Sequence, residues 1–493
     1  MVKKIIDDDL VRVFKKDTKK FDKIITWGDE IEIVGKYEDF YEIKLDENDS
    51  SNFLIKKDVK LINPDLNKVL KISFVDVQQG DASIIETPNK KIIFVDGGEN
   101  QLFARYLAAR YNKNLKDDPL IVDAIIITHG DADHFSGLTE IYRSEKNSNK
   151  KKRLFIFPKR IYHNGIVKGR ARIDGKTVKV EKIFGKTIMH ENKLYLIDLV
   201  DDLLKVDKNR FNTSFNKWTV AIRNWNKRYQ DRFEPVIIKR LQYNNGVDNS
   251  EFDFLDDGVS IKIFGPDVQF INKKQSALPI LHKHSATRNM LQIEEAEEKP
   301  ISKSYSASHT INGHSIVLQL KYGNVKFFLS GDINHESEIK LNDLVKKKKI
   351  DINSEILKVP HHGSSDFDAE FLSNVKPVIS IISSGDESVM KEHIHPRANL
   401  VGALGRYSRT KSPLIFITEL AAFFKKIGYT SHPKEEKKKF FAFERTQFGI
   451  VHIKTNGTRV LVFTHSGKIN LKEAYAFSVD KNGRIKPQQV IKK

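Results

Sequence analysis

The sequence predicts an α/β main domain, interrupted by a largely helical insertion and preceded by a small all-β unit. Three observations carry this expectation. Short apolar runs of strand length, closed by glycine turns, fill residues 72–98 and 123–128 and return near Ser315. Helical patterning separates those two blocks. Residues 1–68 hold only short alternating runs with turn residues between them, which is how a small β unit reads.

At 493 residues the chain exceeds one small core, and its length suggests about two to four domains or one elaborated α/β domain. A hydrophobic share of 39% is enough for a real core. No run of about 18 apolar residues occurs, so no membrane span is expected. The opening MVKKIIDDDLVRVF has apolar stretches too short for a signal-peptide core, so a cytoplasmic location is expected. Cysteine is absent, which excludes disulfides, thiolate zinc sites and a cysteine nucleophile. Any metal must then sit on His, Asp or Glu, which suits Zn, Mn or Fe. The formal net charge of +19 concentrates polyanions at the surface. A composition rich in Lys, Asn and Ile also produces such a charge without nucleic acid, so charge alone raises that partner only a little.

Taken in order, Leu10-Val11-Arg12-Val13-Phe14, Ile31-Glu32-Ile33-Val34, Tyr41-Glu42-Ile43-Lys44-Leu45 and Phe53-Leu54-Ile55 are the strands of the first unit, with Trp27-Gly28-Asp29 and Asp46-Glu47-Asn48-Asp49 as turns. Their spacing suggests a small barrel that resembles a bacterial SH3-like domain, acting as a structural cap or as a site for a protein partner. Asn63-Pro64-Asp65 breaks the chain, and residues 69–493 form the main domain. Strands fall at Ile72–Val77, Ala82–Glu86 and Lys91–Asp96, a helix at Gln101–Tyr111, and a fully buried strand at Asp123–Thr128. From about 143 to 300 lies the insertion. Lys146–Lys152 is polar and exposed, and helical pattern dominates from Leu194 to Arg228. There Trp218, Trp225 and Tyr229 interleave with Lys217, Arg223, Lys227, Arg228 and Arg232. Such a stripe marks a nucleic-acid surface or, more commonly, an amphipathic helix with its aromatics in the core. A hairpin follows, Ser315–Leu320 and Val325–Asp332, turning at Tyr322-Gly323-Asn324, then a helix carrying Lys346–Lys349. Val378–Gly385 is a further strand, and residues 448–463 close the domain as a hairpin. No tandem repeat is present.

His129-Gly130-Asp131-Ala132-Asp133-His134 places two His and two Asp between a buried strand and a helix. Burying four such groups is costly unless something compensates. A divalent metal compensates, because imidazole nitrogen and carboxylate oxygen are its ligands. In an extended segment His129, Asp131 and Asp133 share one side, and His134 points elsewhere once the helix starts. The plainer alternative is helix capping by Asp131 or Asp133, which explains one Asp but not two His and two Asp.

This segment is similar to the H-x-H-x-D-H signature of the metallo-β-lactamase superfamily, with Asp131 at the middle His position. The H-x-D-x-D-H form resembles the hydrolase domain of ComEC, a DNA-uptake protein, and its soluble relatives. Val75-Asp76-Val77-Gln78-Gln79-Gly80-Asp81 resembles the opening V-D-V-G-Q-G-D strand. Asp96-Gly97-Gly98 resembles the D-G-G after the next strand. Ser330-Gly331-Asp332 matches [ST]-G-D, and Val359-Pro360-His361-His362-Gly363-Ser364 matches P-H-H-G-S. The likeness covers roughly residues 70–465 without the insertion, and implies the αββα sandwich of that superfamily.

The resemblance implies two divalent metal ions, Zn or Mn. His129 and Asp131 would bind one, Asp133 and His134 the other, with Asp332 bridging. One of His361 and His362 would complete the second site. His362 is favoured as ligand and His361 as substrate contact, with His395 of His393-Ile394-His395-Pro396 a further active-site His. Asn312 and Ser364 would touch substrate. Relatives often carry a metal-binding His before the [ST]-G-D pair. Here His309 and His314 both stand in that stretch, and the choice between them, or neither, is open. The expected catalytic residues are Asp133, His361 and His395. The expected activity is a phosphodiesterase or nuclease that uses a metal-activated hydroxide on nucleic acid or another phosphodiester. The alternatives are hydrolysis of a small phosphoester, phosphorylcholine- or nucleotide-like, and a non-catalytic protein that kept the fold and binds nucleic acid or a partner.

Overall fold

The computed structural model describes residues 2–45, 53–78, 80–173, 175–243, 250–272, 275–284, 301–385, 395–420, 426–432, 435–443, 446–447, 449–465, 471 and 473–493. The expected turn at Asp46–Asp49, Gln79, and His393 and Ile394 lie outside these residues.

Two large sheets form the main domain. The ten-stranded sheet runs in the order Ile237–Arg240, Arg160–His163, Ala124–Ile126, Ile92–Asp96, Ala82–Glu86, Leu70–Phe74, Ile450–Thr455, Arg459–His465, Ala474–Val479, Ile485–Gln488. Its first four strands are parallel and the rest antiparallel. The six-stranded sheet runs Val259–Gly265, Val317–Tyr322, Val325–Leu329, Ile356–Lys358, Ile379–Ile382, Leu414–Ile417, parallel from its third strand onward. The expected hairpin holds, with Tyr322 opposite Val325 across a Gly323-Asn324 turn.

Period-two alternation decides how the layers stack. Ile85, Ile93, Val95, Ala124 and Ile126 face the second sheet, where they meet Ile261, Leu318, Phe327 and Ile381 in one apolar core. Ile84, Phe94, Ile125 and Ile127 point the other way, against helices Leu102–Tyr111, Ala132–Ser144 and Thr213–Tyr229. Helices His335–Lys346, Ala369–Val375 and Ala398–Tyr407 cover the outer face of the second sheet. Strands covered on both faces read as unbroken apolar runs, which is why these were visible in the sequence. Among the described residues no helix is long and apolar enough to cross a membrane.

The stretch expected to be a largely helical insertion differs from that expectation. It supplies Arg160–His163 and Ile237–Arg240 to the first sheet and Val259–Gly265 to the second, besides several short strands. Its one long helix among the described residues starts at Thr213, not near Leu194. The cause is local: Asp202, Asp207 and Asn212 each accept a hydrogen bond from a backbone N–H two or three residues on. These Asx contacts give two short 3-10 turns and a helix cap in place of a continuous helix. The aromatic stripe resolves toward the core. Trp218 and Trp225 are fully buried, and Trp225 Nε1 donates to Glu145 Oε1 at 3.0 Å. Neither ring is a platform for bases.

The first strands form a seven-stranded antiparallel sheet around their own core of Ile6, Val11, Val13, Ile25, Ile31, Ile43, Phe53, Ile55 and Val59. This sheet is tied to the large one by charge. Asp29 Oδ1 lies 2.7 Å from Lys454 Nζ and 3.3 Å from Lys71 Nζ, and Lys454 also donates to Thr26 Oγ1 at 2.6 Å. Burial would raise the Asp29 carboxyl, but Lys454 and Lys71 outweigh it and hold it below the usual range. Asp29→Asn should therefore cost about 1–3 kcal/mol, less than a fully buried pair because Asp29 keeps 33% of its side chain exposed. A lowered carboxyl contributes above its ordinary value of 3.8 and loses that contribution as pH falls. Urea unfolding should thus separate variant from wild type at pH 7, and the gap should begin to narrow only as pH falls below 3.8; equal midpoints at pH 7 would contradict this role.

Candidate metal centre

The parallel strands of both sheets end at one rim, and their carboxyl ends carry the polar residues. His129 follows Ala124–Ile126, Asp96 closes Ile92–Asp96, Asp332 follows Val325–Leu329, and His361 and His362 follow Ile356–Lys358. The carboxyl ends of parallel strands are where open α/β sheets place ligands. Two close approaches need glycine. A Cβ on Gly80, whose φ is +110°, would lie 2.0 Å from Asp133 O, and one on Gly130 would lie 2.7 Å from Phe215 Cζ. Helix Thr213–Tyr229 thus packs directly on the His-Gly-Asp segment.

Asp133, His134, Asp332 and His362 converge, with one ligating atom from each within 4.8 Å of all the others. Asp332 Oδ2 lies 3.2 Å from His134 Nε2 and 3.1 Å from His362 Nε2, and His362 Nε2 lies 3.3 Å from Asp133 Oδ2. Yet neither imidazole nitrogen makes an aligned hydrogen bond. His134 and His362 are both buried. Imidazole nitrogens and carboxylate oxygens gathered this closely without hydrogen bonds at either Nε2 are the lone-pair arrangement a bound cation requires, and two imidazoles with two carboxylates are a fitting donor set.

The surrounding contacts fix these side chains. Asp96 Oδ2 is 2.9 Å from His134 Nδ1, while its two oxygens accept from Thr128 N at 2.8 Å and Thr128 Oγ1 at 2.6 Å. His362 Nδ1 donates to Ser383 O at 3.0 Å. Each outer hydrogen bond leaves Nε2 as the ligating atom and sets the ring's direction. Asp81, Asp96 and His134 also form a compact group. It is accounted for without a second ion: Asp96 supports His134, and Asp81 pairs with the buried Lys358.

Electrostatics follow from burial and proximity. Burial would raise the Asp133 carboxyl, but His134 and His362 outweigh it and hold it below the usual range. Burial would lower His134, but Asp332, Asp96 and Asp133 raise it well above an ordinary imidazole. His129 is pushed well down by burial and by the neighbouring His134. Burial raises Asp131, offset in part by Lys168.

The other expected residues sit as follows. Asp131 is the helix N-cap, but its side chain makes no capping bond; Oδ1 meets Lys168 Nζ at 2.5 Å. With its amide oriented to satisfy its hydrogen bonds, Asn312 donates to Asp131 Oδ2 and to Ser308 O, both at 3.1 Å. His129 Nδ1 is 3.2 Å from Thr128 Oγ1 and from Ser315 Oγ, and His129 lies outside the four-residue group. His129, Asp131 and Asp133 do not form a group whose ligating atoms all lie within 4.8 Å of one another, and the helix begins at Ala132, between the two Asp residues. His309 contacts Glu336 Oε2 at 2.8 Å, and His314 Nε2 donates to Pro279 O at 2.8 Å. Burial pushes His314 down to about 3. Neither His joins the group. His361 stands beside it, its ring 6.3 Å from that of His362 and 6.0 Å from that of His395. Ser364 caps the turn, donating its N–H to His361 O at 2.8 Å.

Four residues of this centre were not singled out from sequence. Asp81 and Asp96 were seen only as parts of fold motifs, although a carboxylate flanking a buried strand was a usable signal. Lys358, within Ile356-Leu357-Lys358-Val359, was legible as a charge in an apolar strand. Lys168 had no sequence signal.

Residues 75–153 match the family described as Metallo-beta-lactamase superfamily. ComE operon protein 3 of Bacillus subtilis (strain 168) is 29% identical over 121 residues, which is 24% of this chain and 15% of that protein. The matched stretch is thus a small part of the relative's length. The chain resembles a ComEC-type metallo-β-lactamase-fold protein. The superfamily match and the His/Asp cluster together suggest a metal-dependent hydrolase.

Proposed function

We propose that the chain is a metal-dependent phosphodiesterase of the nuclease type, with Asp133, His134, Asp332 and His362 as the ligands that hold its ion. The observation that carries the choice of a polyanionic substrate is a groove of about 550 Å³ between helices Ala132–Ser144 and Thr213–Tyr229. Arg143, Lys146, Arg170 and Lys217 line it together with Thr139, Tyr142, Thr213, Asn216 and Val220, and no carboxylate does. Arg170 comes two residues after Lys168, which touches Asp131 at the centre. A groove lined by four cationic side chains and no carboxylate suits a phosphate backbone better than a lactam or thioester.

A divalent ion at the cluster would supply Lewis-acid activation of water and neutralise charge on the phosphate, and either Zn or Mn suits two imidazoles and two carboxylates. The chain's own residues do the rest. Asp96 and Ser383 O keep His134 and His362 in the tautomer with Nε2 inward. Burial pushes the His361 imidazole down, so it is neutral at pH 7 and presents a hydrogen-bonding nitrogen to a phosphate oxygen. His395 stands beside it to donate a proton to the departing oxygen as the P–O bond breaks. We read the N-terminal sheet, residues 1–68, as an SH3-like unit with a partner-binding role, and residues 69–493 as the hydrolase.

The test is incubation with single-stranded DNA, duplex DNA, RNA and bis-p-nitrophenyl phosphate, each with Mn and with Zn, beside Asp133→Ala. Metal-dependent cleavage that the variant lacks is expected. Cleavage of none of the four, or equal cleavage by Asp133→Ala, would sink the reading. Cleavage of the small diester alone would move the substrate class to small phosphoesters.

A further inference from the structure

We propose that Lys168 takes the place of a second divalent ion at the His129–Asp131 position, so that the chain holds one ion at the four-residue cluster and accepts another only when Lys168 is removed. The inference rests on the metal-dependent reading above and sharpens it.

Superfamily resemblance leads to an ion between His129 and Asp131. The residues there do not fit one. Both oxygens of Asp131 are taken, Oδ1 by the Lys168 ammonium at 2.5 Å and Oδ2 by the Asn312 amide at 3.1 Å. The two His residues that could have completed the position are turned elsewhere, His309 toward Glu336 and His314 toward Pro279 O. With Asp131 engaged by Lys168, His129 and a shared Asp332 are too few ligands for a second divalent ion, whereas freeing Asp131 would bring the set to three. An ion within coordination range of Asp131 would also sit a few ångström from a full positive charge.

Lys168 is placed there by the fold. Its carbonyl accepts from Asn212 N at 3.0 Å, at the cap of helix Thr213–Tyr229, and Gly169 N donates to Ile183 O at 2.8 Å. Val167 is 1% exposed and anchors the stem in the helix-facing core. The same helix puts Phe215 against Gly130. One packing arrangement therefore sets both the lysine and the segment it contacts. The pair is not a solvated surface contact, since the Asp131 side chain is 20% exposed and that of Lys168 25%. An exposed pair contributes little, whereas a shielded charge-assisted hydrogen bond competes seriously with an incoming cation.

The test counts metal without reference to turnover. The purified full chain is stripped with chelator, reloaded with Mn(II), desalted, and examined by elemental analysis and by electron paramagnetic resonance, which separates an isolated Mn(II) from a coupled pair. Wild type should hold one uncoupled Mn. Lys168→Met should hold two with a coupled signal, the second binding on the order of ten-fold or more tighter than in wild type. Lys168→Arg keeps the charge and should stay at one. Asp131→Asn should also stay at one, because Asp131 does not ligate the resident ion. Two coupled ions in wild type, or one in Lys168→Met whose unfolding curve matches wild type, would overturn the proposal. No Mn in wild type would overturn the metal-dependent reading itself, a result distinct from either of those.

Discussion

Asp332→Asn is expected to leave the chain without tightly bound metal and to lower phosphodiester cleavage by on the order of a thousand-fold or more. The reason is geometric. Asp332 Oδ2 is the atom on which both imidazoles converge, at 3.2 Å from His134 Nε2 and 3.1 Å from His362 Nε2. The substitution keeps the shape of the side chain and removes its charge. An amide oxygen is a weaker ligand for a divalent ion than a carboxylate, and the amide's other orientation turns toward the site an NH2 group that cannot ligate a cation at all. Asp332 sits in the polar rim at the end of a strand, outside the apolar clusters, so the fold should survive. Elemental analysis after desalting, initial rates on bis-p-nitrophenyl phosphate, and an unfolding curve measure the three quantities separately. Metal content and rate within a few-fold of wild type would show that Asp332 is not a ligand.

Much of this arrangement was legible in the sequence, for a definable reason. Runs such as Ile92-Ile93-Phe94-Val95 and Ala124-Ile125-Ile126 are buried on both faces, so the sheets announced themselves through composition. Chemistry at the strand ends was legible because His129–His134 and His361-His362 are dense local clusters. What was not legible depends on distant contacts. Nothing near Lys168 in the chain indicates Asp131; they meet because helix Thr213–Tyr229 docks on Gly130. The extended-segment argument for His129, Asp131 and Asp133 applies only as far as Asp131, because the helix starts at Ala132. The helical reading from Leu194 to Arg228 failed on three Asx residues whose side chains compete for backbone N–H groups, an effect that apolar periodicity does not register. The Trp218 and Trp225 stripe shows the opposite case: periodicity pointed both rings to the core, where they lie, while Lys217, one of the basic residues interleaved with them, lines the cationic groove. The cationic groove that supports that partner is assembled from three separate segments.

Lys358→Met should destabilise the chain by about 3–5 kcal/mol at pH 7, the usual cost of removing one member of a buried ion pair. Lys358 is 3% exposed and Asp81 4%. The two form a salt bridge, and Lys358 also donates to Gly331 O at 3.3 Å and lies 3.9 Å from Asp332 Oδ1. Methionine fills nearly the same volume, so the loss is electrostatic: Asp81 is left buried beside other carboxylates, and its Oδ1 already lacks a hydrogen bond. The pH dependence checks the cause. In wild type, burial raises the Asp81 carboxyl, but Lys358 and His362 outweigh it and keep it below the ordinary 3.8. Its contribution is therefore present above that value and lost as pH falls. Without the lysine the balance reverses: burial holds the carboxyl up, and protonation relieves the variant. The deficit should be largest at neutral pH and should shrink as pH falls through the carboxylate range. Asp81→Asn in the same chain should recover most of the loss, since replacing both charges removes the uncompensated one. Urea unfolding of the metal-free wild type, both single variants and the double variant gives the coupling directly. A deficit below about 1 kcal/mol at pH 7, or one that does not change with pH, would mean that Lys358 does not balance Asp81.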